Sequence, residues 1–207
     1  MDGSSQSTIE RKECKQMKLL NAGCGTHYAQ GWVNTDLVST DTTHPDVLVD
    51  PEKPYPFEDD TFDYVFLGHV LEHIPWNSVP AFLDDMRRIA KPGAKFLVTG
   101  PDVYKTIIRW SLQQEPWTMV MSVLEHQDIN YQPGREHEWW DGATHHWNCH
   151  NARVWRLLET VGFSELEDVF DVIPKSPQMK GWLDGQVEWP VVGHWHWHFA
   201  IKCINAK

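Results

Sequence analysis

The sequence predicts a single α/β domain built around a mostly parallel β-sheet. Its 207 residues fall within the usual span of one domain, and an apolar content of 41% is enough for a sizeable core. Between Met17 and Gly100, short apolar runs alternate with turn residues, and one segment repeats its apolar residues at helical spacing. This alternation of strand and helix signals is typical of a parallel sheet whose strands are joined by crossovers.

Five short runs in the first half of the chain are predicted to be strands. Each is mostly apolar, as expected for strands that are buried on both faces of a parallel sheet. The predicted strands are Lys18–Ala22, Trp32–Leu37, Val47–Val49, Phe62–Leu67 and Lys95–Thr99.

A helix is predicted between the fourth and fifth of these strands. Ser78 is its expected N-cap, and Lys91, Pro92 and Gly93 are expected to end it. A right-handed strand–helix–strand crossover follows from this order. The apolar residues that recur at helical spacing are Val79, Phe82, Leu83, Met86, Ile89 and Ala90.

The last third of the chain predicts a second helix and two further strands. The helix runs over Ala152–Val161, with Asn151 as its N-cap and Gly162 as its C-terminal stop. One strand is expected at Leu166–Val172. Another is expected at His194–Ile204, where apolar and polar residues alternate at a strand period.

The predicted organisation is a flexible tail at residues 1–16 followed by one domain at residues 17–207. Periodicity breaks down between Pro101 and His150, a stretch rich in Trp, His, Gln and Glu. This stretch leaves the carboxyl end of the fifth strand, the sheet edge at which such folds bind ligands. We therefore expect residues 101–150 to form a lid-like insertion over the site, or else to pack against a partner subunit.

Composition and charge indicate which binding partners and which cellular compartment to expect. A net charge of −11 with no basic run disfavours a surface that follows nucleic-acid phosphates. Cys14, Cys24, Cys149 and Cys203 form no CxxC pair, which suits reduced thiols. No apolar stretch approaches the ~20 residues that span a bilayer. We expect a cytoplasmic protein with no membrane partner, of an oligomeric state that the sequence does not define.

A Gly-x-Gly turn follows the first strand directly, in the segment Leu19–Gly25. Glycines let the backbone approach a ligand closely, although the same turn also occurs where no ligand binds. Asp36 ends the next strand, where a carboxylate either accepts hydrogen bonds from ribose hydroxyls or is simply solvated. Tyr28 stands where a dinucleotide fingerprint has its third glycine, so a mononucleoside ligand fits better.

Five segments, in order, resemble the class I S-adenosylmethionine-dependent methyltransferases, in particular the small enzymes described as type 11. The segments are LLNAGCGT, GWVNTDL, DVLVD, YPFEDDTFDYVFLGHVLEHI and RRIAKPGAKFLVTGPD. The resemblance covers about residues 17–102 and implies a Rossmann-like, doubly wound sheet of seven strands with an antiparallel last strand. It also implies S-adenosyl-L-methionine as the cofactor and methyl transfer as the reaction.

The resemblance further implies roles for the residues at the strand ends. The loop of Ala22, Gly23 and Gly25 would wrap the methionine part of the cofactor, and Asp36 would hold the ribose. The third strand's end would lie against the adenine, and the fourth strand's end beside the sulfonium. The expected cofactor-binding residues are Asn21, Ala22, Gly23, Gly25, Asp36, Leu37, Asp50, Pro51, Gly68 and His69.

Two departures from the family pattern bear on the first helix and on the acceptor. Six residues separate Gly25 from Trp32, too few for the full first helix of the family. No Asn-Pro-Pro-Tyr or Asp-Pro-Pro-Tyr motif follows the fourth strand, which disfavours nucleic-acid methylation. We expect a small-molecule acceptor that is methylated on oxygen or nitrogen. The alternatives are a protein or nucleic-acid methyltransferase and a non-catalytic cofactor-binding module.

Histidines are the candidate catalytic bases. The sulfonium of the cofactor is already activated, so the protein has mainly to position the acceptor and remove its proton. An imidazole titrates near neutral pH and suits that task. The candidates are His69, His73, His145 and His146. The alternative for Leu71–Ile74 is a structural turn whose polar groups bind the backbone.

The histidine-rich second half of the chain permits a metal site, a polar pocket wall or a solvated strand face. Imidazole and carboxylate ligands suit zinc or iron, but no HExxH or comparable spacing is present, so no metal is expected. The residues concerned are Glu136, His137, His145, His146, His150, His194, His196 and His198. The tryptophans of the insertion either offer flat surfaces to an acceptor or fill a core. They are Trp110, Trp117, Trp139, Trp140 and Trp147.

Overall fold

The computed structural model describes residues 17–114, 145–170 and 198–207, with the backbone of two short strands between the last two ranges. Several predictions from sequence lie outside these residues. They concern the tail at residues 1–16, Cys14, most of the insertion with Trp117, Glu136, His137, Trp139 and Trp140, and His194 and His196 near the C-terminus.

Seven strands form the main sheet. The strands of the chain are β1 Leu19–Ala22, β2 Val33–Asp36, β3 Val47–Leu48, β4 Phe62–Gly68, β5 Ala90–Pro101, β6 Phe163–Asp168, β7 Met179–Lys180, β8 Glu188–Trp189 and β9 His198–Asn205. The main sheet has the order β3-β2-β1-β4-β5-β9-β6, and β7 pairs with β8 separately. Strands β1 to β5 run parallel, whereas β9 is antiparallel to both of its neighbours. The predicted doubly wound sheet with an antiparallel last strand is confirmed.

Three α-helices flank this sheet in the described residues: α1 Val79–Ile89, α2 Val103–Ser111 and α3 Asn151–Val161. Helices α1 and α3 share one core cluster with residues from the same face of β1, β4, β5 and β9. The opposite face carries a smaller cluster around Trp32 and Tyr64. Residues 26–31 form turns and irregular backbone, which confirms that the family's first helix is missing there. Trp32, at the end of that short segment, instead covers the sheet.

One helix begins at its predicted N-cap without the expected capping bond, and the other has a different N-cap from the one predicted. Ser78 occupies the N-cap position of α1, but its hydroxyl donates to Glu52 at 2.7 Å rather than capping the helix. The N-cap of α3 is His150, whose Nδ1 accepts from the backbone N–H of Arg153 at 3.3 Å, and not Asn151. Histidine is rare among preferred caps, which is why the sequence favoured the asparagine beside it.

Strand β5 is longer than predicted, because the segment expected to end α1 lies within it. The helix ends at Ile89 and the strand begins at once with Ala90. The side-chain amide of Asn205 donates to the carbonyl oxygens of Ala90 and Lys91, each at 3.1 Å. These bonds from the end of β9 satisfy carbonyls that the start of the strand would otherwise leave buried and unpaired.

The strand predicted at His194–Ile204 is confirmed in the part that the structure describes, but its polar residues do not form a solvated face. His198 and Ala200 are as buried as Phe199 and Ile201, with exposed fractions of 2% or less. Strand β9 has both edges paired, and a core cluster packs on each of its faces. His198 is therefore not on a solvated face.

Asp102 joins the start of the insertion to its end. It is buried, and its Oδ1 accepts from the backbone N–H groups of Tyr104 and Lys105 at 3.1 and 3.2 Å. Its Oδ2 accepts from the backbone N–H of Asn151 at 3.2 Å. One carboxylate thus caps α2 and also fixes the first residue of α3.

No helix within the described ranges has both the length and the apolar character needed to cross a membrane. Cys24, Cys149 and Cys203 are buried free thiols.

Replacement of Asp102 is expected to loosen both helix starts at once. Asp102→Ala removes the acceptor of three backbone N–H groups, and we expect a loss of about 1–3 kcal/mol in the free energy of unfolding, measured by urea denaturation. Asp41→Ala, at an exposed acid, is the control and should stay within about 0.5 kcal/mol of the parent. Equal stability of the two variants would contradict this role.

Candidate functional site

A cavity of about 310 Å³ lies outside the carboxyl ends of β1, β2 and β4. The strand order reverses between β1 and β4, and in open α/β sheets this switch point is where ligands bind. The volume lies at the lower end of the ~300–1,000 Å³ typical of ligand pockets. The lining residues are Gly23, Cys24, Gly25, Thr26, His27, Asp36, Leu37, Val38, Thr43, Pro51, Tyr55, Gly68, His69, Val70, His73 and Ile74.

The loop after β1 forms one wall of this cavity. Gly23 has a φ of 64°, a conformation that L side chains rarely adopt. A Cβ at Gly23 would lie 2.4 Å from Cγ2 of Val70, so the loop packs directly against the segment that follows β4. The backbone N–H of Gly25 donates to Oδ2 of Asp36 at 2.7 Å. The glycine loop therefore contacts Asp36 at the end of β2 and Val70 after the end of β4.

Asp36 lies half-buried in the cavity wall at the end of β2. Besides Gly25, its carboxylate accepts from the backbone N–H of Val38 at 3.3 Å. Burial, followed by the charge of Asp36, raises the pKa of the Cys24 thiol to about 11. Cys24 is consequently protonated at neutral pH and is not a nucleophile.

Three of the expected cofactor-binding residues lie beside the cavity rather than in its wall. Asn21 is buried and its amide donates to Asn34 at 2.9 Å, whereas Ala22 belongs to the core. The carboxylate of Asp50 forms an ion pair with Lys53 at 2.8 Å. The other seven expected residues, from Gly23 to His69, line the cavity.

The end of β4 brings a histidine and a buried carboxylate together. His69 has a φ of 57°, unusual for a residue with a side chain, and its Nδ1 lies 3.0 Å from Oε1 of Glu72. Its Nε2 lies 3.3 Å from Nδ1 of His198 on β9. Glu72 is fully buried in the 3₁₀ turn Leu71–His73.

The ionised form of Glu72 is favoured by its neighbours. Burial on its own raises the pKa of a carboxyl, but the hydrogen bond from His69 and the charges of His69, His73 and His145 lower the pKa of Glu72 to about 2. Glu72 is thus the negative centre of a histidine cluster.

The end of the insertion returns to this same turn. The backbone N–H of His146 donates to the carbonyl of Glu72 at 2.8 Å, and the indole N–H of Trp147 donates to the carbonyl of Leu71 at 2.9 Å. The rings of His145 and His73 meet edge to face with centroids 4.8 Å apart. Trp147 is 6% exposed and packs on Trp76, so it fills a core, whereas Trp110 is exposed.

Sequence reasoning placed His69 and His73 in the wall but missed Glu72, Thr43 and Tyr55. Tyr55 is buried, which raises the pKa of its hydroxyl, so that it is neutral at physiological pH. Thr43 and Tyr55 belong to no sequence motif that would have identified them as cavity residues. Glu72 did carry a signal, because an acid three residues after His69 faces it within one helical turn.

Comparison with known proteins agrees with this geometry. Residues 20–98 match the family model described as "Methyltransferase domain", which spans β1 to the middle of β5. The match covers less than half of the chain, and together with the fold it supports a class I S-adenosylmethionine-dependent methyltransferase. No curated protein matches the methyltransferase at significant similarity.

Solved structures share the fold of the methyltransferase. One is a SAM-dependent methyltransferase from Archaeoglobus fulgidus, with a TM-score of 0.52 and 14% identity over 91% of this chain and 86% of that chain. Another is a putative methyltransferase from Bacillus halodurans, with a TM-score of 0.50 and 15% identity over 92% and 93%. The DszA carbon methyltransferase gives 0.51 and 14% over 95% of this chain and 49% of its own, so this chain spans about half of its length.

The cavity fits the S-adenosylmethionine of the methyltransferase. A loop that contains Gly23 and Gly25, which carry no side chain, adjoins the carboxylate of Asp36, and all three residues line one cavity. The backbone wall suits an extended ligand that approaches closely, and the carboxylate suits hydroxyl donors.

The contact between Gly23 and Val70 makes a specific prediction. Gly23→Ala should weaken S-adenosylmethionine binding by more than about tenfold, because Val70, itself in the cavity wall, has to move. Calorimetric titration with the cofactor measures this.

Gly31→Ala is the matched control. Gly31 has a φ of 83°, and a Cβ added there would meet no atom within 4 Å, so alanine costs a similar ~1–2 kcal/mol of backbone strain without entering the cavity. Its cofactor affinity should equal that of the parent. An equal loss in both variants would mean that strain, and not the wall of the cavity, is responsible.

Proposed function

We propose that this methyltransferase methylates a hydroxyl or amine group of a small molecule, with His69 as the base. The observation that carries the proposal is the position of His69 and His73 in the wall of the same cavity as the glycine loop. Residues 145–147 pack on the turn that carries His73. An ionisable wall in a cavity of this size suits a small acceptor better than a polymer.

The donor side of the cavity is assigned to the glycine loop and Asp36. Gly23 and Gly25 would face the methionine part, and the carboxylate of Asp36 would accept from the ribose hydroxyls while it keeps the N–H of Gly25. Pro51 would lie against the adenine, and Gly68 beside the sulfonium. Asp50, which pairs with Lys53, would hold the turn that positions Pro51.

When bound, S-adenosylmethionine supplies a methyl group on a positively charged sulfur. As the acceptor atom bonds to the methyl carbon, the carbon–sulfur bond breaks and its electron pair stays on sulfur. The acceptor's proton has to leave, and Nε2 of His69 is the atom that would take it, since Nδ1 donates to Glu72. The resulting imidazolium would be stabilised by Glu72 and would share its proton with Nδ1 of His198.

We also propose that the reaction takes place in the cytoplasm, because the three described cysteines are free thiols. A macromolecular acceptor is the second candidate. The net charge of −11 argues against a nucleic acid, but not against a basic protein.

A screen of acceptors tests the proposed reaction. S-adenosylhomocysteine release would be measured with small hydroxylated compounds, small amines, proteins and RNA. We expect turnover with members of the first two classes. Turnover only with a protein or RNA would contradict the small-molecule assignment, and tight cofactor binding with no turnover on any class would point to a binding module.

A substitution at His69 tests the base. Asparagine tolerates the left-handed backbone and can still donate to Glu72, but it cannot take up a proton. For His69→Asn we expect a loss of kcat of about 10²–10⁴-fold with cofactor affinity within a factor of about three.

His44→Asn provides the control, since His44 is exposed and outside the cavity wall. It should retain full turnover. Full turnover of His69→Asn would remove His69 from the base role.

A further inference from the structure

Glu72, His73 and His145 each offer one metal-ligand atom, and these three atoms lie within 4.8 Å of one another. His73 and His145 are half-buried, and their rings meet at an interplanar angle of 68°. Two imidazoles and one carboxylate are a ligand set that holds zinc and iron in proteins, with coordination positions left over.

The carboxylate of Glu72 is incompletely satisfied. Its Oε1 lies 3.0 Å from Nδ1 of His69, but its Oε2, buried like the rest of the side chain, has no hydrogen-bond partner among the residues that the structure describes. A buried charged oxygen without a donor is costly, and unsatisfied groups of this kind often mark an ion or an ordered water. The side chain with this unpaired oxygen, Glu72, is also one of the three residues of the cluster.

We propose that Glu72, His73 and His145 bind one divalent transition-metal ion through a carboxylate oxygen and two imidazole nitrogens. Imidazole ligands favour Zn²⁺ or Fe²⁺ over Mg²⁺ and Ca²⁺, which prefer oxygen. The ion would compensate the negative charge of Glu72, whose Oε2 accepts no hydrogen bond from the described residues.

The surroundings orient the three ligands. Nδ1 of His69 lies 3.0 Å from Oε1 of Glu72 and so fixes the orientation of the carboxylate. The backbone N–H of His146 donates to the carbonyl of Glu72 at 2.8 Å and so holds the neighbouring His145 beside the turn. Outer hydrogen bonds of this kind are typical of metal sites, where they set the direction of each ligand.

The position of His73 indicates a role for the ion in binding the acceptor. His73 lines the cavity that contains the glycine loop, so an ion bound to it would adjoin the space assigned to the acceptor. A metal-bound hydroxyl group has a lowered pKa and a fixed orientation. This consequence rests on the proposed function and favours a hydroxylated acceptor, with His73 and His145 as ligands and His69 as the base.

No local sequence pattern identifies this site. Glu72 and His73 are adjacent and follow β4, whereas His145 comes from the far end of the insertion. No short motif contains all three residues, and the pairing of His145 with His73 exists only after the chain has folded back over the turn.

Metal binding can be tested without any acceptor. The full-length protein would be stripped with a chelator and dialysed against Zn²⁺, and the bound metal measured by elemental analysis. We expect one tight equivalent for the parent and much weaker binding of Mg²⁺. In His73→Ala and His145→Ala the affinity for Zn²⁺ should fall at least roughly 100-fold, the upper end of what loss of an outer partner costs.

Two controls make the result decisive. His44→Ala, at an exposed histidine outside the cluster, should bind Zn²⁺ like the parent. Urea denaturation of His73→Ala and His145→Ala shows whether each variant is folded, and His145→Ala, whose residue lies outside the cavity wall, should keep the parental cofactor affinity. Failure of the acceptor screen would leave the zinc result standing, so the two proposals fail separately.

The proposal is overturned if the parent binds no Zn²⁺ tightly, or if folded His73→Ala and His145→Ala variants bind it as tightly as the parent. The second outcome would assign the metal to other histidines of the chain.

Discussion

The carboxylate of Glu72 has no exposed surface, and its burial determines which groups can surround the end of β4. Burial of a charge is costly unless other charges or hydrogen bonds compensate it, so positively polarised groups have to surround this side chain. His69 does so from a left-handed backbone that costs about 1–2 kcal/mol, and His73 and His145 lie near enough to lower the pKa of Glu72 further. The backbone of the same turn then anchors His146 and Trp147. The histidine cluster and the return of the insertion both depend on Glu72 being there.

The sheet topology brings this cluster to the cofactor side. Strands β1 and β4 are adjacent, and the chain leaves them in different directions, which opens a crevice between the segments that follow. Gly23 closes the bottom of that crevice by packing on Val70. Because Val70 directly follows His69, the glycine loop and the histidine share one rigid boundary. In the proposed reaction, a change in either loop would therefore alter the distance between the methyl donor and His69.

Local signals were enough to predict much of the fold from sequence. The first four strands and both long helices were placed to within one or two residues, since apolar runs, helical spacing and Gly162 act within a few residues of chain. Long-range effects were missed. His198 is buried with the ring of His69 from the end of β4 packed against it, and the carbonyl of Lys91 at the start of β5 accepts from Asn205 at the end of β9. Asp36 and Gly23 follow strand ends and were found in the site, whereas Glu72 gains its character only from side chains brought in by folding.

The two sides of the cavity are built in different ways, and this separates their tasks. The donor side consists largely of backbone, with Gly23, Gly25 and the carboxylate of Asp36, and its shape is determined by the sheet. The side that we assign to the acceptor carries the ionisable side chains of His69 and His73, and contacts with His198 and His145 join it to distant parts of the chain. Substitutions at His73 or His145 can therefore change the chemistry without altering the sheet. A fold built in this way keeps one methyl donor while its acceptor varies, which is how one architecture supports different reactions.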